Sequence, residues 1–260
     1  MCKFPPFLHC FDPMSWHWPD PASIGTAVVI IAIGAVVQGS VGFGLAVFSA
    51  PLLTLIEPRL VPGPLLLATF VLTLLLTQRE RQAIDLAGVK WALVGRVPGI
   101  AAGTAVLTLL APGKLVVLFG TLIVLGALMT ARGAALEPTR GNLLAAGFVS
   151  GFMGTAAAIG GPPVALLYQR EDGRRVRGTL NGYFLVGSVL SLGALFAIGR
   201  FGKQELAWSA LLVPGVVLGF ACSAWTARWL DSKRRGLRLS VLVVSAASGL
   251  FVIARQLLGA

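Results

Sequence analysis

The chain has 260 residues, of which 56% are hydrophobic and 12% charged, and its formal net charge is +11. This balance excludes a soluble domain built around one core and describes a polytopic membrane protein. The basic excess fits loops that face anionic headgroups, and nucleic acid is not an expected partner.

Residues 1–20 form an N-terminal tail. They contain Pro5, Pro6, Trp16, Trp18 and Pro19 and lack the short apolar centre of a signal peptide. Trp16 and Trp18 suit anchorage at the headgroup level. Cys2, Cys10 and Cys222 have no metal-ligand or disulfide spacing, and His9 and His17 both lie in the tail. No metal or other cofactor is expected. Cys222 reads as a small packing residue.

The first uncharged run extends from Pro21 to Ile56. It is too long for one crossing, and a glycine-rich break at Gly39–Gly44 divides it into a hairpin or broken pair. Three ordinary spans follow, at about 60–78, about 89–110 and about 115–131. A second overlong run, Gly141 to Gln169, is interrupted by Ser150-Gly151-Phe152-Met153-Gly154-Thr155 running into Gly160-Gly161-Pro162-Pro163. Spans at about 178–199, about 206–227 and about 237–257 complete the pattern.

The two halves read as a duplication. A shift of 112 positions brings Gly39 to Gly151, Gly42 to Gly154 and Pro51 to Pro163. Near a shift of 116, Val97-Pro98-Gly99 meets Val213-Pro214-Gly215 and Gly103 meets Gly219. The expected organisation is a first transmembrane repeat at 21–131, a cytoplasmic linker at 132–140 and a second repeat at 141–260.

Charge decides how the halves are oriented. If each broken run begins and ends on one side, loops 79–90, 132–140, 170–177 and 228–238 share a side and carry fourteen Lys and Arg. The opposite side holds Lys3, Arg59, Lys114, Arg200, Lys203 and Arg255. Positive-inside bias then makes the four loops cytoplasmic and the halves inverted. Inverted repeats with broken helices characterise transporters, with the site at the midplane where the breaks meet.

Gln38-Gly39-Ser40-Val41-Gly42-Phe43-Gly44 followed by Pro51-Leu52-Leu53, echoed by Gly151-Phe152-Met153-Gly154 and Gly160-Gly161-Pro162-Pro163, resembles the TauE/SafE sulfite exporter family. Arg177-Gly178-Thr179-Leu180-Asn181 resembles the start of the span after the second motif. The likeness covers nearly everything after residue 20. It implies an all-α membrane fold and transport of small sulfur oxyanions or organosulfonates. Leu45-Ala46-Val47 after Gly44 departs from the more glycine-dense form of the motif.

An anion at the midplane needs positive potential and donors, which helix N-termini provide through unpaired amides and the dipole. Half-helices beginning after Gly44 and at Pro162 or Pro163 would bring two such ends together. Gly39, Gly42, Gly44, Gly154, Gly160 and Gly161 would let backbone approach a ligand, or they would serve close helix packing. Phe43 lies within the first break. Gln38, Ser40 and Thr155 would donate to anion oxygens or cap freed backbone. Thr179 and Asn181 open the following span, facing the site or the headgroups. Arg96 lies at membrane depth beside Pro98, where it either attracts the anion or snorkels to the surface.

The sequence therefore predicts a non-enzymatic carrier of a small anion, sulfite or an organosulfonate, in the bacterial inner membrane, with export the expected direction. A membrane-embedded enzyme would need Asp, Glu or His within the spans, and there is none. An assembly or chaperone subunit is the other rival. The lipid bilayer and the anion are the expected partners, and homo-oligomer formation stays open.

Overall fold

A computed structural model describes residues 20–110, 112–132 and 136–230. The tail, the last expected span at about 237–257 and most of loop 228–238 lie outside the described residues, and so does part of the 132–140 linker. Within them the chain is all-helical: α1 Pro21–Val41, α2 Leu45–Ile56, α3 Gly63–Glu80, α4 Leu86–Leu109, α5 Pro112–Arg132, α6 Arg140–Ala157, α7 Gly161–Leu167, α8 Gly173–Ala197 and α9 Lys203–Leu230. Among the described residues four stretches are long and apolar enough to cross a bilayer: α1, α4, α8 and the α9 portion Lys203–Thr226.

Local chemistry sets the helix ends. Asp20 caps α1 by accepting from the Ala22 amide at 3.1 Å, with Pro21 at the first helical position. Asp172 caps α8 in the same way through Arg174 N–H. That cap carries Arg174, Arg175 and Arg177 into the helix, so α8 starts five residues before the expected span. Arg200, between α8 and α9, donates to Leu107 O at 2.9 Å and satisfies the C-terminal end of α4. Burial pulls its guanidinium below the usual arginine range.

Both breaks exist, and each is narrower than expected. α1 ends at Gly42 (φ 101°), whose N–H donates to Gln38 O, and α2 starts after Gly44 (φ 137°). These left-handed angles suit glycine. Gly39 and Ser40 remain inside α1. In the second half, Gly151, Gly154 and Thr155 lie inside α6, and the chain turns at Ala158-Ile159-Gly160, with Ala158 left-handed at φ 62°. The glycines inside the helices serve proximity: a Cβ on Gly39 would strike Ser223, and one on Gly151 would strike the Arg96 carbonyl. The helix ends are therefore related by 116 residues, Val41 to Ala157 and Gly44 to Gly160, the same shift that relates Pro98 to Pro214. The 112-residue glycine match lies about one helical turn out of that register.

The pieces after the breaks are short. α2 has 12 residues and α7 has 7, so they are about 18 Å and about 10 Å long. Neither crosses a hydrocarbon core of about 30 Å.

The packing is pairwise. α4 lies along α6 and α1 along α9, while α3 packs on α8. The first two seams are backbone-close. Gly95 and Gly99 abut the carbonyls of Leu144 and Phe148, Gly147 and Gly151 abut those of Ala92 and Arg96, and Gly215 and Gly219 abut those of Val28 and Ala32. Without side chains in the way, dispersion contact replaces the hydrophobic drive that lipid does not supply.

The loops sort to two ends of the bundle. At one end Glu80 meets Arg177 at 3.1 Å, Tyr168 Oη donates to Asp85 at 3.0 Å, and Arg140 lies over Trp91. At the other, Arg59 lies over Trp208 and Gly63 packs on Phe201.

Candidate functional site

Between the two breaks lies a small cavity of about 30 Å³, close to the share of liquid volume held by one water molecule, roughly 30 Å³. Gln38, Phe43, Gly44 and the first turn of α2 (Ala46, Val47) form one wall. Gly154, Ala158, Gly160 and Gly161 form the opposite wall, Leu66 and Thr69 come from α3, and Phe184 and Ser188 from α8. Arg96 of α4 completes the lining.

Arg96 is 2% exposed, so it turns into the bundle and does not snorkel. Its Nη1 donates to Ser150 Oγ at 3.4 Å and its Nη2 to Ser191 Oγ at 3.5 Å, both long. Its Cζ stands 4.9 Å from the Tyr183 ring centroid, a cation–π contact. Nε has no hydrogen-bond partner. Arg96 and Arg177 are the two buried arginines among the described residues. Arg177 has the Glu80 carboxylate, whereas no described carboxylate pairs with Arg96. A buried cation answered only by hydroxyls and a ring face keeps a large part of its desolvation cost.

Small residues make the space for this guanidinium. A Cβ on Gly187 of α8 would overlap Arg96 Cζ and Nε, and one on Gly154 would lie 3.2 Å from Nη2. Ser150 Oγ also donates to Gly160 O, which ties the second break to the arginine. Thr155 does not line the cavity. It shares a 3.0 Å hydrogen bond with Ser191 Oγ and so supports the arginine from behind.

Gln38 braces the first break. Its Oε1 accepts from Leu45 N–H at 3.2 Å, at the start of α2, and its Nε2 donates to Asn181 Oδ1 at 3.1 Å. Asn181 is fully buried and donates onward to Arg177 O, so it faces the interior and not the headgroups. Thr179 is buried too and accepts from Asp85 N–H at 3.0 Å, in the loop layer.

Of the expected site residues, Gln38, Phe43, Gly44, Arg96, Gly154, Gly160 and Gly161 converge on the cavity. Gly39 and Ser40 face α9; Ser40 Oγ donates to Val36 O of its own helix and shares a hydrogen bond with Thr226 Oγ1 of α9. Gly42 abuts the Arg177 backbone. Pro162 starts α7 together with Pro163, and two prolines in the first turn remove two amide donors. The second half-helix therefore keeps two of its first four amides as donors, fewer than expected. Sequence reasoning placed Ser150 at the start of the second break without giving it a site role, and it missed Tyr183, Gly187, Ser188 and Ser191. The last four lie on one α8 face, at helical spacing, flanked by apolar residues.

The family described as Sulfite exporter TauE/SafE matches residues 26–252. No curated protein and no solved structure matches the chain. With its apolar helices and two broken helical runs, the chain is a multi-pass membrane protein, and it belongs to the TauE/SafE sulfite exporter family of transporters.

Proposed function

We propose that the protein exports a small sulfur oxyanion, sulfite or an organosulfonate, across the bacterial inner membrane. Arg96 is the residue that attracts the anion. The observation that carries this reading is a buried arginine without a carboxylate, set in a cavity that both helix breaks line. An intramembrane charge facing a bundle interior points to a substrate path. The first turn of α2 adds its dipole, and Gly154, Gly160 and Gly161 let the second break approach closely. Gln38, held by Asn181, keeps the first break in shape, and Thr155 holds the Arg96 shell.

The repeats, 21–131 and 141–260, are read as inverted. Three features support this: the common 116-residue shift of the helix ends, the reciprocal pairing of α1 with α9 and of α4 with α6, and the gathering of loop residues 80, 85, 140 and 177 at one end. That end is the basic one and is assigned to the cytoplasm.

Proteoliposomes loaded with sulfite or methanesulfonate test the function. Flux that depends on Arg96 is the expected result. Intact protein that carries neither anion would favour an assembly subunit or a membrane enzyme instead.

A further inference from the structure

We propose that the site selects for anion charge: it takes a singly charged, few-atom oxyanion and discriminates against doubly charged ones. This rests on the reading of the cavity as an anion path. For sulfite the transported species is then hydrogen sulfite, and the proton crosses on the anion itself.

Charge balance in a confined, largely apolar space sets the preference. The elements packed around Arg96 bring Ser150 and Thr155 from α6 and Tyr183, Ser188 and Ser191 from α8, while Gln38 of α1 lies on the same cavity. Among these only Tyr183 is ionisable, and it presents its ring to Arg96. Within the basic loop end, Arg79 and Arg177 are matched in number by Glu80 and Asp85: Arg177 pairs with Glu80, and Arg79, beside Glu80, donates to Gly39 O and Ser223 Oγ on the flank of α1. Asp85 is held by Tyr168 and the Gly88 amide. Among the described residues the cavity thus offers one positive charge without a carboxylate, lined by Phe43, Ala46, Val47, Leu66 and Phe184 and by the neutral polar groups of Gln38, Thr69 and Ser188. One negative charge neutralises it. A second would remain uncompensated in a low-dielectric wall, as costly as the unpaired arginine. Helix-dipole partial charges at the start of α2 soften this cost but do not supply a second full charge. At about 30 Å³ the cavity must widen for any of these anions, and the widening grows with the ligand, which disfavours a long organic tail.

Sulfite takes up its proton near neutral pH, methanesulfonate is singly charged at any working pH, and sulfate is doubly charged. Full-length protein in proteoliposomes, assayed with each anion between mildly acidic and mildly alkaline pH, separates the cases. Sulfite flux should fall as pH rises, in step with the monoanion fraction, and methanesulfonate flux should stay level. Sulfate flux should be about tenfold lower or less, equivalent to about 1.4 kcal/mol of discrimination. The reversal potential under a potassium–valinomycin clamp should report one charge per sulfur. Arg96→Lys, which keeps the charge, should keep the preference. Sulfate carried as fast as methanesulfonate, or sulfite flux that is level or rises with pH, overturns the charge selection while leaving transport standing. Absence of flux for all three overturns the transport reading as well.

Discussion

Gly161 faces the ring of Phe43: a Cβ on Gly161 would lie 3.2 Å from Phe43 Cδ2. The first residue of α7 thus touches the middle of the other break, and the two interruptions meet there. Gly161→Ala asks the ring to give by a few tenths of an ångström and should lower flux modestly. Gly161→Leu pushes into the cavity and should reduce flux by about tenfold or more, with insertion unchanged. Surface expression and liposome flux, measured together, check this. Normal flux through Gly161→Leu would place the path elsewhere.

Arg96→Gln should lower flux by about a hundredfold, the scale of losing a charge-assisted contact of about 1.5–3 kcal/mol. Because the charge is buried without a carboxylate, its removal should leave thermal stability in detergent unchanged or raised. A large fall in melting temperature together with retained flux would instead make Arg96 a structural residue.

Gly187→Ala tests the arginine's seat without touching its charge. The added methyl overlaps the guanidinium, so Arg96 must move and flux should drop about tenfold. Gly193→Ala, on the same helix with nothing within 4 Å of its added Cβ, should leave flux unchanged and raise stability by up to about 1 kcal/mol. Equal effects of the two substitutions would mean that α8 responds to helix propensity alone.

Methanesulfonate efflux should run on membrane potential alone. No Asp, Glu or His lies within the apolar runs to bind a coupling proton. A monoanion leaving an inside-negative compartment gains about 2.3 kcal/mol per 100 mV, a concentration factor of about fifty. A potassium–valinomycin potential imposed without a pH gradient is the measurement. Flux that ignores the potential and follows a proton gradient would contradict the mechanism.

Much of this was legible in the sequence. Hydropathy and loop charge located α1, α4, α5, α8 and α9 to within a few residues, because a bilayer imposes length and composition directly. Arg96 stood out because it is the one basic residue inside an apolar run. The break positions were less legible, since glycine serves two purposes. Gly42 and Gly44 have left-handed backbone, whereas Gly39 and Gly151 are small for the sake of a neighbouring helix, and the letters are identical. The second turn was hidden further because Ala158 takes the left-handed position. Ser150 and Ser191 were illegible because their role depends on Arg96 arriving from a helix 54 and 95 residues away in sequence.

The glycine seams constrain motion. In α4–α6 each helix stands against its partner's carbonyls, and in α1–α9 the α9 glycines stand against those of α1, with no room there for even a methyl group. A helix seated that closely cannot slide along its neighbour, so each pair travels as one rigid body. Any alternation of access is then a rocking of one pair against the other across the α3–α8 contact, with the strain taken up at Gly42–Gly44 and Ala158–Gly160. Arg96 rides on one of these bodies and Gln38 on the other. Rocking would therefore open and close the gap between the charge and the brace that faces it.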